Sequence, residues 1–320
     1  MIISKMAGHW MLTNGSDPWQ YSLLVISSIV VVTGIAVVGI FRWFHKNVLK
    51  NPAYQQQLTQ ETAKSSEKMS LRKNFKYLAS SKYLLCIATI VLTYNICINL
   101  TEVTWKNQLH HIFPLPNDFN GYYGKVTMWV GIAATLIAVA SNFLIRRFSW
   151  TLNAMIAPAL LLITGVGFFS FLFMKDSPFG IALAASLGST PLLLGVLFGS
   201  VQQCISRASK YTIFDATKEL AFIPLSRESK LKGKAVIDGI GSRLGKSGSA
   251  LAYQALLLFF GTVSATLPYV GLILLAVIAA WMVAVTYLGK QFQSLVAHHE
   301  TISIKETAAG KAEESREAAT

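Results

Sequence analysis

Residues 206–248 read SRASKYTIFDATKELAFIPLSRESKLKGKAVIDGIGSRLGKSG and join two strongly apolar runs. Ionisable side chains press into the ends of both. Lys210, Asp215, Lys218 and Glu219 lie on the upstream side, and Asp238, Arg243 and Lys246 on the downstream side. Elsewhere charge is scarce: 53% of the 320 residues are apolar and 13% are charged, against about 25% charged in an ordinary soluble domain. Several apolar runs exceed the roughly 18 residues at which a membrane helix is the default reading. Helices satisfy their own backbone hydrogen bonds in lipid, so an all-α integral membrane protein is expected. The stretch 206–248 is then where two spans carry charge towards the bilayer.

Seven apolar spans are predicted around it: 21–41, 83–105, 122–145, 152–174, 179 to about 210, 235 to about 265, and 268–288. Residues 1–20 read as an exposed lead-in, 42–82 as a solvated basic linker with nine Lys or Arg, and 291–320 as a disordered tail rich in Ala, Glu and Lys. If all seven spans cross, the linker, Arg146-Arg147, residues 227–234 and the tail fall on one side. The positive-inside rule makes that side cytoplasmic. It also accounts for the net charge of +13, so a nucleic-acid partner is not inferred. Cys86, Cys97 and Cys204 are far apart in or beside apolar runs and read as small packing residues.

One span, a long basic linker and six further spans resemble the last helix of one half, the central loop and the complete second half of a major-facilitator transporter. The expected domains are therefore 21–41 as the last helix of the N-terminal half and 83–290 as a six-helix C-terminal half. A complete seven-span protein is the alternative.

Three polar stripes run along the spans. Asn95, Asn99, Glu102 and Lys106 follow at steps of four, three and four, which puts them on one helix face. A charge at mid-bilayer costs about 2.5–3.5 kcal/mol on insertion scales, so Glu102 needs an aqueous cavity or a partner. The alternative is an Asn-rich helix contact with Lys106 reaching to the interface. Gln203, Arg207, Lys210 and Phe214 repeat the spacing, with Arg207 read as a basic anchor at the membrane face. Asp238, Ser242, Lys246, Ser249 and Tyr253 form the third stripe, in which Lys246 faces a ligand or reaches to the interface. Asp215, Lys218, Glu219, Asp238 and Arg243 are expected to gate the cytoplasmic mouth or to form an ion network there.

Gly245-Lys246-Ser247 ends like a phosphate-binding loop, but the position requiring the first glycine holds Ile240 and no strand precedes it. These glycines are expected to allow close helix packing instead. The adjacent pairs His110-His111 and His298-His299 point to different helix faces, so metal binding is not expected. No nucleophile–base or paired-carboxylate constellation is present, and neither an enzyme nor a cofactor is inferred. A non-transporting membrane scaffold that binds partners through its basic linker and tail remains an alternative; the stripes on three helices count against it.

YNICINLTEVTWK (94–106), KYTIFDATKELAFIPL (210–225) and KGKAVIDGIGSRLGKSG (232–248) resemble, in order, three motifs of the bacterial and plastid-type ADP/ATP translocase family. The similarity runs from about residue 21 to 288. The resemblance implies a major-facilitator-like fold of twelve helices in a bacterial inner membrane. It implies exchange of ATP for ADP, with or without phosphate; some members import nucleotides with protons. The first five helices of that fold are absent, so a missing N-terminal half is expected as a partner. The family's charged transport residues fall on Glu102 and Lys246, and its motif positions on Lys210, Asp215, Lys218 and Glu219. On this reading Lys246 and Lys210 face the phosphates and Glu102 holds Lys106 or a cavity lysine in the empty carrier. Asn95 and Asn99 read the base or ribose.

Overall fold

The computed structural model describes residues 18–47 and 71–317, so most of the expected lead-in and linker lie outside the described residues. Every regular element among the described residues is helical. The described residues divide into two compact units, one holding 18–47 and 113–125, the other 71–112 and 126–317.

In the first unit, α1 (Pro18–Asn47) is apolar around its whole circumference. Leu24, Val32, Ile35 and Phe41 are each more than 60% exposed. A continuous apolar surface of this kind is stable in lipid and not in water. Phe113 stacks on Tyr122 at 5.2 Å, and the Ser22 hydroxyl lies 3.5 Å from Asn117 Oδ1.

The second unit is built around α3 (Lys82–Ile112). It packs against α7 (Pro191–Ser209), α10 (Ser242–Phe260) and α11 (Val263–Glu317), and α5 (Trp150–Phe173) packs on α7 and α11. Their shared core holds Tyr94, Trp105, Phe168 and Trp281, each almost wholly buried. Tyr94 stacks on Phe214 at 4.3 Å, and both meet Trp281 edge-on at 5.7 Å. Small residues set the helix spacing. A Cβ on Gly199 would lie 2.4 Å from Trp105 Cδ1 and 2.9 Å from Phe168 Cε2. Only glycine lets α7 come this near α3.

Among the described residues, five helices are long and apolar enough to cross a membrane: α1, α3, α4 (Pro116–Arg147), α5 and the apolar part of α11. A sixth is counted if the bent pair formed by α6 (Pro178–Ser186) and the helix from Pro191 to Ala221 is one span. The chain is thus a multi-pass membrane protein.

Three expectations need revision. The fifth span is not continuous: the chain turns at Gly188, whose φ is +66°, and restarts where Thr190 caps Pro191 at the head of α7. The two parts meet at 72°, as a left-handed glycine and a capped proline dictate. The sixth expected span is helical, but it is not among those apolar enough to cross, because Arg243, Lys246 and three serines occupy the first half of α10. Residues 291–317, expected to be disordered, continue α11 as helix. Alanine, glutamate and lysine are strong helix formers. In addition, the end of the basic linker forms α2 (Leu71–Ser80).

Two widened turns interrupt the regular pattern. Lys210–Phe214 and Ile237–Gly241 are π-helical, the first leading into α8 (Asp215–Ala221) and the second joining α9 (Arg227–Val236) to α10. Such turns are rare and frequent at functional sites.

Candidate functional site

The stripe on α3 divides between packing and solvent. Asn95 is 6% exposed and donates from Nδ2 to the Val91 carbonyl of its own helix at 2.7 Å. Its side chain lies at the contact with α10, where a Cβ on Gly245 would fall 2.7 Å from Asn95 Cβ and 2.9 Å from the Leu92 carbonyl oxygen. Asn99, one turn on, donates from Nδ2 to Ser249 Oγ at 2.7 Å and to the Lys246 carbonyl at 3.1 Å. Close approach at Gly245 brings α10 within reach of Asn99. Gly245 lies in the first turn of α10, which continues a helical path from α9 rather than following a strand and loop, so the GKS tripeptide is a packing feature and not a phosphate-binding loop.

Next along α3, Glu102 Oε1 accepts from two cations. Lys106 Nζ lies at 2.7 Å and the Arg207 guanidinium of α7 at 2.8 Å. The three side chains are 21%, 42% and 25% exposed respectively, so a solute can reach them. Trp105 fixes the backbone between Glu102 and Lys106: its indole N–H donates to the Val196 carbonyl at 3.1 Å and to Ser200 Oγ at 3.2 Å, both on α7. Exposed ion pairs contribute about 0–1 kcal/mol to stability. By that measure the Lys106 pair adds little to the fold, while the more buried Arg207 pair holds the carboxylate more firmly. A carboxylate shared in this way can release its cations when a stronger anion arrives.

The Arg207 side chain, read from the sequence as an anchor at the membrane face, engages Glu102 across the helix pair. The rest of its stripe disperses, because the π-helical turn inserts an extra residue after Ser209. Lys210 lies over the Tyr211 ring at 5.0 Å, and Phe214 turns into the core. On α10, Lys246 and Arg243 are exposed, and the Lys246 ammonium makes no ion pair with a described residue. Tyr253 and Ser249 from the same stripe are buried.

A second cluster is centred on Lys218, whose side chain is 13% exposed. Its Nζ lies 2.8 Å from Asp238 Oδ1, 3.5 Å from Glu219 Oε1 and 4.0 Å from Asp215 Oδ1. Glu219 also pairs with Lys234 of α9. Asp215 follows the first π-helical turn and Asp238 lies within the second, so the cluster ties together the two irregular segments. Of the residues expected in an ion network, Asp215, Lys218, Glu219 and Asp238 are brought together and Arg243 is not. Lys234 is an addition. Its position in a charge run of the 227–234 segment gave no sign of a partner.

Comparison with known proteins follows this geometry. The model of the TLC ATP/ADP transporter family matches residues 1–292. The chain is 41% identical over 284 residues to "ADP,ATP carrier protein 1" of Chlamydia pneumoniae, covering 88% of this chain and 55% of that protein. It is 38% identical over 305 residues to the protein of the same name from Chlamydia muridarum, covering 95% and 57%. It is 40% identical over 286 residues to "ADP,ATP carrier protein 1, chloroplastic" of Arabidopsis thaliana, covering 89% and 45%. The chain spans about half the length of the curated relatives it matches. No solved structure matches it. With the motifs at 94–106, 210–225 and 232–248 inside the matched region, the chain belongs to the TLC ATP/ADP transporter family.

Proposed function

We propose that the protein exchanges ATP for ADP across a bacterial inner membrane by alternating access, with or without phosphate and with no covalent step. The observation that carries this reading is the Glu102 carboxylate shared between Lys106 and Arg207 at 2.7 and 2.8 Å on an accessible helix face. ATP carries about four negative charges and ADP about three, because each terminal phosphate is almost fully ionised at neutral pH. Phosphate oxygens compete with Glu102 for Arg207, whose planar fork suits two oxygens at once. Lys106, Lys210 and Lys246 add point charges. Two cations facing one carboxylate leave the empty site with excess positive charge. Occluding such a site without an anion is costly, which disfavours return of the empty carrier and so favours exchange.

Asn99 holds the wall formed by α3 and α10 at one spacing, and Asn95 supports the same contact. The Lys218 cluster with Asp215, Glu219 and Asp238 is the latch of the cytoplasmic mouth. The lysine and arginine bias of the loops supports a cytoplasmic linker and C-terminus. On this reading residues 83–290 are the second half of a major-facilitator-like transporter and α1 is the last helix of the first half. The remainder of the first half supplies the opposite wall.

Counterflow in proteoliposomes tests this reading. Preloaded ADP is expected to accelerate uptake of labelled ATP, and an imposed proton gradient is expected to leave it unchanged. Uptake driven by the gradient and indifferent to internal ADP would identify proton-coupled import instead.

A further inference from the structure

A groove of about 630 Å³ opens between the end of α4, α8 and α9, and neither Glu102 nor Arg207 lines it. Its walls are Ile145, Leu220, Ile223 and Leu231, with Lys230 and Lys234 on one side. The volume falls within the roughly 300–1,000 Å³ of sites that take small molecules. Its depth relative to the bilayer follows from the helices that form it. Ile145 immediately precedes Arg146 and Arg147, which close the membrane span of α4. Leu220 lies one residue before the end of the bent span that finishes at Ala221. The groove therefore sits where two spans leave the hydrocarbon, at the level of the lipid headgroups.

The lining suits a ligand with a negative head and an apolar body. Ile223 is 60% exposed and Leu231 is 55% exposed, an arrangement that water disfavours and an acyl chain covers. Glu219 also lines the groove, but it is engaged by Lys234 and lies 3.5 Å from Lys218. Lys230 is half-buried against the apolar wall, and the Arg146 and Arg147 side chains are exposed nearby in sequence at the end of α4. Basic pockets between membrane helices on the cytoplasmic side take anionic headgroups.

We propose that this groove is a binding site for an anionic phospholipid. Its phosphate sits between Lys230 and Lys234, and the upper part of one acyl chain covers Ile145, Leu220, Ile223 and Leu231. Such a lipid would bridge the end of α4 to α8 and α9, the elements that carry the Lys218 cluster.

Native mass spectrometry of the detergent-purified protein tests the site, with phosphatidylglycerol and phosphatidylcholine titrated in parallel. Phosphatidylglycerol is expected to be retained in preference. One lysine near an anionic surface corresponds to about fivefold in affinity. Lys230→Ala is thus expected to lower the preference about fivefold, and Lys230→Ala with Leu231→Gln to abolish it. Lys175→Ala, in the turn after α5, is expected to leave it intact. Both altered residues are at the surface, so the fold is preserved; Lys234 is left in place because it pairs with Glu219. Equal retention of the two lipids, or an unchanged preference in the double variant, would overturn the proposal. So would displacement of the lipid by inorganic phosphate at matched concentration, since the apolar wall would then contribute nothing.

Discussion

Glu102→Gln is expected to lower the proposed ATP–ADP exchange by at least about tenfold, a loss equivalent to 1.4 kcal/mol, while the protein still inserts and folds. Glutamine keeps the shape of the side chain and removes the charge that orders Lys106 and Arg207. Both cations then lose their shared counter-charge, repel each other and leave the positions they hold at 2.7 and 2.8 Å. Glu102 and Arg207 are only 21% and 25% exposed, so the melting temperature of each variant, measured alongside, separates loss of transport from loss of stability. Glu102→Asp keeps the charge on a shorter stem and is expected to recover part of the rate. Initial rates with preloaded ADP measure it. If Glu102→Gln and Glu102→Asp both exchanged at the wild-type rate, the shared carboxylate would have no part in the cycle.

Gly199→Ala is expected to destabilise the protein by about 1–3 kcal/mol, the usual cost of forcing extra volume into a packed core. The new methyl would sit 2.4 Å from Trp105 Cδ1 and 2.9 Å from Phe168 Cε2, both on side chains that are almost wholly buried. Trp105 cannot retreat without breaking its bonds to the Val196 carbonyl and Ser200 Oγ. Because Trp105 lies between Glu102 and Lys106, exchange should fall together with the melting temperature. Gly131→Ala is the control. Nothing lies within 4 Å of a Cβ there, so the better helix propensity of alanine leaves stability unchanged or slightly raised. Thermal unfolding in detergent compares the two; equal melting temperatures would mean that α3 and α7 are not held at the spacing described.

Much of this architecture is legible in the sequence because lipid imposes one rule on every span. The runs at 21–41, 83–105, 122–145, 152–174 and 268–288 all lie in helices long and apolar enough to cross. The face carrying Asn99, Glu102 and Lys106 is legible as well, since α3 is a regular helix and a period of 3.6 holds along it. That period fails on the next stripe: the widened turn at Lys210–Phe214 sends Phe214 to the core beside Tyr94 and leaves Lys210 over Tyr211. The partnership of Arg207 with Glu102 is a contact between helices far apart in sequence, which no local spacing encodes. The break at 187–190 did leave a local signal, Gly188 followed by Thr190-Pro191, but continuous hydropathy masks it. Asn95 matches its stripe in spacing, yet the close approach of Gly245 decides that it packs.

Calorimetric titration of ATP into the purified protein, run beside Arg207→Ala and Lys246→Ala, tests most directly whether this cationic face binds nucleotide phosphates. Saturable binding is expected in the wild type, with each variant weakened by at least about tenfold, as expected when a charge-assisted contact is lost. Equal affinity in all three proteins would contradict the assignment of Arg207 and Lys246 to the phosphates.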